Sequence, residues 1–279
     1  MKYFVDKNTN LRNFISEKLK ISKNKSKNLI DKRIVFVNNK RIWISNYNLK
    51  VGDIIQIPDY IDNSSFDLKN SIIYEDDFII GVNKYYNIIT DNNYKSLENL
   101  LKNYFSNNEI KAIHRLDKET SGANIFAKNN TIFENFKENW DEIYIKKIYL
   151  AKSYNSADFD KIEINSPIDG KPANTKVHLI SKNNKYSFFK IELSTGRKHQ
   201  IRIHLSKLGY PILGDKIYGP NILKSDLEKF TQRQMLHSYE ILIKNPFNNN
   251  LINIKAPLSE DFSNILLKLG FNPKLCDSK

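Results

Sequence analysis

The chain has 279 residues, 40% of them hydrophobic, and a formal net charge of +13. This apolar content supports a folded core, and no apolar stretch is long enough to cross a bilayer. With Cys276 as the single cysteine, an internal disulfide framework and a cysteine-based zinc site are both excluded. The opening MKYFVDKNTN lacks the apolar run of a secretory leader. We therefore expect a cytoplasmic protein without membrane spans and with an anionic partner.

The positive charge is concentrated in the N-terminal segment. Residues 1–58 contain thirteen basic and four acidic side chains, so their net +9 is most of the +13 of the whole chain. A bias towards Lys, Asn and Ile can also come from genome composition, but that bias does not explain why the charge is concentrated. The distribution therefore indicates a surface that contacts a phosphate backbone.

Short helices and strands are predicted along this basic segment. Helical spacing is shown by the apolar residues Leu11, Phe14, Ile15 and Leu19. A second short helix is expected over residues 26–32. Residues 34–37 and 41–44 flank the turn-prone triplet NNK and predict a hairpin, and residues 51–57 predict another strand. Pro58 begins the polar stretch PDYIDNSSFDLKN, which predicts a linker over residues 59–70.

A second unit with more strand than helix is expected from residue 71. The predicted strands are residues 72–74, 78–82, 110–116, 123–127, 144–152, 185–193 and 250–254. The predicted helices are residues 98–105 and 131–140, the latter with Thr131 and Glu134 at capping-box spacing. The whole chain is therefore expected to be α+β.

Two segments, HRLDKETSG and STGRKHQIRIHLSKLGYPILGDKIYG, stand out by residue usage. They contain Arg115, Arg197 and Arg202, three of only seven arginines among 44 basic residues. In a chain that otherwise uses Lys, Arg marks sites that need a planar guanidinium with several donors. A helix from Arg197 onward would place Lys198 and Arg202 on one face and would end at Gly209.

Asp117 lies where a predicted strand meets a polar loop, so its carboxylate can be exposed in a cleft. The alternative is a carboxylate that only caps its own loop backbone. A core-anchored Arg202 beside it would keep the carboxylate ionised and aimed, as a nucleophile requires.

Other enzyme classes fit these segments poorly. His199 and His204 are five residues apart with no Glu between them, so they are expected to pack or hydrogen-bond and not to bind zinc. HRLD reverses the H-R-D-L order of a protein-kinase catalytic loop, and the chain has no glycine-rich G-x-G-x-x-G, no D-F-G and no P-loop.

In this order, HRLDKETSG, TGRKHQIRIHL and GYPILGDKIYG resemble the RluA-type family of pseudouridine synthases. The stretches YEDDFIIGVNK, IKKIYLAK and MLHSYEILIKNPF extend the resemblance over residues 71–262. The segment LRNFISEKLKISKNKSKNLIDKRIVFVNNK followed by VGDIIQI resembles the RNA-binding module of ribosomal protein S4.

The resemblance implies an α+β chain with a small S4-like α/β RNA-binding domain and a synthase domain around a central mixed, largely antiparallel sheet. The domains would be residues 1–58, a linker at 59–70, the catalytic domain at 71–262 and a tail at 263–279. No metal or organic cofactor is expected. The family usually has a Pro and then a Gly within a few residues of the position of Lys84, whereas this chain has Tyr85-Tyr86-Asn87-Ile88, so this loop is expected to differ in shape from that of the family.

The implied catalytic roles are three. Asp117 would be the nucleophile acting on a flipped-out uridine, Tyr149 would lie against the uracil, and Arg202 would pair with Asp117. Arg115 would enter the space that the flipped base leaves. The remaining expected RNA-binding residues are Arg197, Lys198, Lys84, Lys25, Lys27, Lys32 and Arg33.

The implied activity is isomerisation of uridine to pseudouridine in RNA by a monomer. Large-subunit ribosomal RNA is the favoured substrate. Transfer RNA, or a role as a non-catalytic RNA-binding or ribosome-assembly factor, is the alternative.

Overall fold

The computed structural model describes residues 1–57, 66–223 and 225–277, and the chain divides into two compact units. The strands are β1 Lys2–Phe4, β2 Thr9–Asn10, β3 Val35–Val37, β4 Lys40–Ile42, β5 Asn48–Leu49, β6 Ile54–Gln56, β7 Ile72–Glu75, β8 Ile79–Lys84, β9 Lys111–Ala112, β10 Ser121–Ala127, β11 Tyr144–Tyr154, β12 Lys161–Ile164, β13 Thr175–Lys182, β14 Tyr186–Leu193, β15 Leu236–Lys244 and β16 Leu251–Lys255. The helices are α1 Leu11–Leu19, α2 Lys23–Asp31, α3 Leu68–Ser71, α4 Leu97–Tyr104, α5 Asn130–Glu138, α6 Trp140–Ile143, α7 Gln200–Lys207, α8 Asp226–Phe230 and α9 Glu260–Lys268, with a 3₁₀ turn at Pro273–Asp277.

The smaller unit packs α1 and α2 against the sheet β1-β6-β3-β4. The predicted first helix and the hairpin are confirmed. The second helix begins at Lys23, three residues before the predicted start, because the Ser22 hydroxyl accepts a hydrogen bond from the Lys25 amide and caps it there. The strand predicted at residues 51–57 shortens to β6.

The smaller unit is built from two separate stretches of chain. Besides the first 57 residues it contains Gly214–Gln232. Lys40 of β4 forms a β-bridge with Ile222, and the Arg41 amide donates to the Asn221 carbonyl at 2.7 Å. Leu223 is buried, at 1% exposure. The GYPILGDKIYG segment therefore ends in the smaller unit, which the sequence analysis did not anticipate.

The larger unit surrounds one mixed sheet. Among the described residues its order is β12-β13-β14-β11-β15-β10-β8-β7, with β16 on β15 and β9 on β10. The β10–β15 pair is parallel and the other pairs are antiparallel. This arrangement confirms the predicted central mixed, largely antiparallel sheet. The parallel pair matters for function, because β10 and β15 begin next to Asp117 and Gln234, respectively.

Three details differ from the sequence-based expectations for this unit. The strand predicted at residues 110–116 is reduced to β9. Helix α5 is capped by Asn129, whose Oδ1 accepts from the Ile132 amide at 2.9 Å, so Thr131 is not the cap residue. Residues 263–277 do not form a separate tail, because Leu266 and Phe271 belong to the core of the larger unit.

The predicted linker lies partly outside the described residues, which resume at Phe66. From there the chain belongs to the larger unit, because Phe66 and Leu68 pack against the cluster that contains Ile80 and Leu101.

Candidate active site

Asp117 occupies a loop held from several sides. The preceding residue, Leu116, donates its amide to the Thr90 hydroxyl at 3.2 Å, and the Thr120 amide donates to the Asp117 carbonyl at 3.0 Å. Gly122 follows with φ of 109°, and a side chain at this position would collide with the backbone of Ser238 on β15. The glycine of the HRLDKETSG motif therefore allows the close approach of β10 and β15 that positions the loop.

The Asp117 carboxylate contacts side chains from two other parts of the chain. Arg202 Nη1 lies 2.8 Å from Asp117 Oδ2, and Gln234 Nε2 donates to the same oxygen at 3.3 Å. His199 Nε2 lies 3.7 Å from Oδ1. The Arg202 side chain is 5% exposed and that of Asp117 is 26% exposed. The predicted pairing of Arg202 with Asp117 is therefore present, and the carboxylate does more than cap its own loop.

Helix α7 supplies Arg202 from its buried face. The helix begins at Gln200, because His199 adopts a left-handed conformation with φ of 56°. Lys198 therefore precedes the helix, which corrects the expectation that Lys198 and Arg202 share a helical face. Gly209 follows the last turn with φ of 91°, so the predicted end of the helix is confirmed.

Gln200 and His204 anchor this helix. The side-chain Nε2 of Gln200 donates to the Asn174 carbonyl at 2.8 Å, and its Oε1 accepts from the Arg197 backbone amide at 2.9 Å. His204 Nε2 lies 2.9 Å from the Ser166 carbonyl, and burial lowers the pKa of this imidazole. The expected hydrogen-bonding role of His204 is confirmed, whereas His199 sits beside the candidate nucleophile.

A cleft of about 1010 Å³ surrounds this ion pair. Its wall includes six of the predicted site residues: Asp117, Tyr149, Arg202, Arg115, Arg197 and Lys198. Tyr149 comes from the central strand β11 and is 7% exposed, so its ring has a fixed place. Arg115 has a 69% exposed side chain, with Nη1 4.0 Å from Asp91. Six basic side chains and two carboxylates line the cleft, which suits an anionic ligand.

Lys84 does not take the RNA-binding position expected of it. Its side chain is fully buried, and Nζ donates to the carbonyls of Tyr85, Ile88 and Lys118 at 3.1, 2.9 and 3.3 Å. Burial lowers the pKa of Lys84 to about 7. The ammonium joins the loop after β8 to the loop after Asp117, so it is a positioning residue inside the protein and not a contact for RNA.

The loop that departs from the family pattern contains Asn87 in a backbone conformation that favours glycine. Asn87 has φ of 69°, the left-handed region that glycine and asparagine enter most readily. Its amide donates to the Lys118 carbonyl at 2.7 Å. Tyr85 and Tyr86 stack with ring centroids 4.5 Å apart. The unusual residues therefore form an ordered loop that supports the Asp117 segment.

Arg233 and Gln234 support the Asp117 loop and were not predicted from the sequence. Besides contacting Asp117, Gln234 Nε2 donates to the Thr120 hydroxyl at 2.6 Å. Arg233 pairs with Asp261 at 2.6 Å and donates to the Glu119 carbonyl at 3.2 Å. The rarity of arginine, which singled out Arg115, Arg197 and Arg202, also applies to Arg233 and would have found it.

The predicted RNA-binding residues of the smaller unit differ in accessibility. Lys25, Lys27 and Lys32 are exposed on or next to α2. Arg33 is half-buried, with Nη1 donating to the Lys216 carbonyl at 2.9 Å and its guanidinium 4.9 Å from the Trp43 ring centroid. The three lysines remain predicted RNA contacts, and Arg33 has a structural role as well.

No helix in residues 1–57, 66–223 and 225–277 is long and apolar enough to cross a membrane. The same part of the chain contains no group of three or more His, Cys, Asp and Glu side chains arranged to hold a metal ion.

A mixed sheet with a basic cleft and a buried Arg–Asp pair is the arrangement expected of an RNA-modifying enzyme of the pseudouridine synthase class. Residues 78–207 match the family model for RNA pseudouridylate synthases, and residues 10–55 match the S4 domain. The chain is 32% identical to the ribosomal large subunit pseudouridine synthase C of Buchnera aphidicola (strain APS), with 93% of each chain covered. The chain therefore belongs to the RNA pseudouridine synthase family, whose members are isomerases, and it carries an N-terminal S4 domain.

One further relative and one solved structure agree with this assignment, and a second solved structure supports the fold. An uncharacterized RNA pseudouridine synthase of Helicobacter pylori (strain 26695) is 30% identical, over 93% of this chain and 89% of the relative. The solved structure of human RNA pseudouridylate synthase domain containing 1 is 25% identical with a TM-score of 0.55, over 67% of this chain and 83% of that structure. Human RNA pseudouridylate synthase domain containing 4 has a TM-score of 0.61 at 22% identity, which supports the fold.

Proposed function

We propose that the protein converts specific uridines of large-subunit ribosomal RNA to pseudouridine, with Asp117 as the nucleophile. Tyr149 lies against the uracil and Arg202 holds the carboxylate. The observation that carries the proposal is the contact of 2.8 Å between the buried Arg202 and Asp117, within a basic cleft that Tyr149 also lines.

The chemistry accounts for these residue types. The target uridine leaves its stack so that the enzyme can reach it. The N1–C1′ bond breaks, the base rotates, and C5 bonds to C1′. C5 then loses its proton and N1 gains one, so the product is an isomer of uridine. Asp117 can attack the sugar, attack the base, or assist abstraction of a sugar proton. In each case the carboxylate must be held in a fixed position, and the Arg202 guanidinium at 2.8 Å from Oδ2 holds it there.

Tyr149 and Arg115 would support the two states of the flipped nucleotide. The Tyr149 ring offers an aromatic face to the freed base, and its hydroxyl can take part in moving the C5 proton. Arg115, on the rim with a largely exposed guanidinium, would fill the gap that the flipped base leaves in the RNA. Both roles are consistent with their positions on the cleft.

Ribosomal RNA is preferred as the substrate because relatives that match over most of this chain are named ribosomal large subunit pseudouridine synthases. The exposed Lys25, Lys27 and Lys32 would contact the RNA backbone from the smaller unit, and Arg197 and Lys198 from the cleft rim. Transfer RNA is the alternative substrate, and we propose that the enzyme acts as a monomer in the cytoplasm. A non-catalytic assembly role is disfavoured by the intact Asp117–Arg202 pair.

The test of activity is the Asp117→Asn variant. Asn has the same shape but is a poor nucleophile and cannot accept a proton as a carboxylate does, so turnover should be abolished while RNA binding and the thermal melt stay near wild type. Tritium release from C5-labelled RNA measures turnover. Activity within tenfold of wild type would remove Asp117 from the nucleophile role.

The test of substrate is to map pseudouridines in ribosomal and transfer RNA from cells with and without the gene. Sites lost only from transfer RNA would overturn the ribosomal assignment, and no lost site would overturn the activity in cells.

A further inference from the structure

One side of the cleft is made of alternating aromatic and basic side chains that the proposed catalytic roles do not use. We call it the aromatic wall and define it as Phe133 and Lys137 of α5, Trp140 at the start of α6, and Lys147 of β11. All four line the same cleft as Asp117 and Tyr149. Lys147 and Tyr149 are two residues apart on β11, so both side chains project from the same face of the strand. The aromatic wall is therefore continuous with the reaction site.

The two rings of the aromatic wall contact the core of the larger unit but stay partly exposed. On α5, Ile132 and Phe136 are 5% and 1% exposed and form the inner face, whereas Phe133 is only half-buried. Trp140 is also half-buried. Apolar rings that reach the surface of a basic cleft leave an amphipathic edge, which is the composition that single-stranded nucleic acids favour.

Cations lie close to both rings. Lys147 Nζ is 4.3 Å from the Trp140 ring centroid, and Lys111 Nζ is 5.0 Å from that of Phe133. Lys137, with a 67% exposed side chain, lies along the same helix edge. Burial lowers the pKa of Lys147 to about 7, so a neighbouring phosphate would favour its charged form. Each ring thus has a cation next to it. A nucleotide can use such a pair, because its base stacks on the ring and its phosphate binds the cation.

We propose that the aromatic wall binds the RNA nucleotide next to the flipped target uridine, with its base against Trp140 and its phosphate at Lys137 and Lys147. This inference rests on the proposed function, because it places a neighbour of the target. The base takes the ring face that Lys147 covers, and the Lys147 ammonium moves from the ring to the phosphate. The aromatic wall would thus favour an unpaired base beside the target, since a paired base must first lose its pairing energy before it can stack on protein.

The first experiment compares Trp140→Leu with Trp140→Phe in steady-state tritium-release assays on one RNA. Stacking of a base on an aromatic side chain contributes about 1–3 kcal/mol, so we expect KM to rise roughly five- to 150-fold in Trp140→Leu. We expect kcat to stay within about twofold, and Trp140→Phe to recover most of the loss. Tyr104→Leu, which removes an exposed aromatic ring of α4 that does not line the cleft, is the matched control.

The second experiment uses Trp140 as its own reporter. The chain has two tryptophans, so the Trp43→Phe variant leaves Trp140 as the only tryptophan, whose emission can be excited selectively over that of the tyrosines. With Asp117→Asn added to prevent turnover, titration with the RNA should quench the fluorescence. Adding Lys147→Met should weaken binding and reduce the salt slope by about one phosphate contact.

The outcomes separate the inference from the function on which it rests. A wild-type enzyme that forms no pseudouridine in any RNA would refute the proposed function. If the wild-type enzyme is active but KM is unchanged in Trp140→Leu and RNA does not quench Trp140, the proposed binding of a neighbouring nucleotide to the aromatic wall is refuted. A cooperative melt for every variant is required, and the quenching of Trp140 and the Lys147→Met titration keep the test valid if Trp140→Leu unfolds.

Discussion

Replacing Arg202 by Lys should slow the reaction although the charge is kept. Arg202 Nη1 lies 2.8 Å from Asp117 Oδ2, and the arginine side chain is 5% exposed. A hydrogen bond between charged groups contributes about 1.5–3 kcal/mol, and water cannot easily replace the lost donor at so buried a position. A lysine ammonium is a point charge and cannot reproduce the planar guanidinium. The expected loss in rate is therefore roughly ten- to 150-fold.

The assay is single-turnover tritium release with enzyme in excess over C5-labelled RNA, beside an anisotropy titration for Kd. The loss should appear in the rate and leave Kd within about threefold, because Arg202 acts on Asp117. Lys207→Ala, an exposed cation on the same helix, is the control and should behave as wild type. If Arg202→Lys keeps its rate within threefold, or if the control is impaired more, the Arg202 contact does not aim the nucleophile.

Three further outcomes follow from the structure. Gln234→Leu removes the amide 3.3 Å from Asp117 and should lower the single-turnover rate roughly fivefold, about 1 kcal/mol. It should also lower the thermal stability, because the buried Thr120 hydroxyl loses its donor. Asn87 has φ of 69°, which glycine adopts easily and valine does not. Asn87→Gly should keep full activity and stability, whereas Asn87→Val should lose about 1–2 kcal/mol of stability in urea unfolding. Equal free energies of unfolding for the two variants would contradict this. Lys152 is fully buried, and burial lowers its pKa to about 6. At pH values between about 6 and the ordinary lysine pKa of 10.5, Lys152 is protonated in the unfolded state but not in the folded state. The Lys152 contribution to the free energy of unfolding therefore rises with pH. Lys152→Met should stabilise the fold and remove up to about 1.4 kcal/mol per pH unit of that rise, measured by urea unfolding from pH 7 to 9.

Features that depend only on residues close together in the sequence were predictable. The apolar spacing of α1 depends on its own residues, and Gly209 ends α7 through its own backbone conformation. Asp117 and Arg202 were both found, because an unusual use of arginine and the motif order indicate chemistry without requiring the fold. Their contact at 2.8 Å needed the packing of α7 against the Asp117 loop.

Features that depend on long-range packing were not predictable. The sequence of β8 alone gives no sign that the Lys84 ammonium faces three carbonyls, one of them 34 residues away. Gln234 is separated from Asp117 by 117 residues, and it reaches the carboxylate through the pairing of β10 with β15. Asn129 caps α5 in place of Thr131, because the helix begins at Asn130, one residue before the predicted start.

The discontinuous smaller unit has a consequence for biosynthesis. Its Arg33–Lys216 hydrogen bond joins residues 183 positions apart, so the first 57 residues leave the ribosome long before their partner segment Gly214–Gln232 is made. At about 5–20 residues per second this interval is roughly 10–40 s. During that time β4 has an unpaired edge, since its bridge to Ile222 cannot yet form. The smaller unit is therefore completed only after α7 has been synthesised. Pulse-labelled nascent chains stalled before residue 214 should expose β4 to proteases.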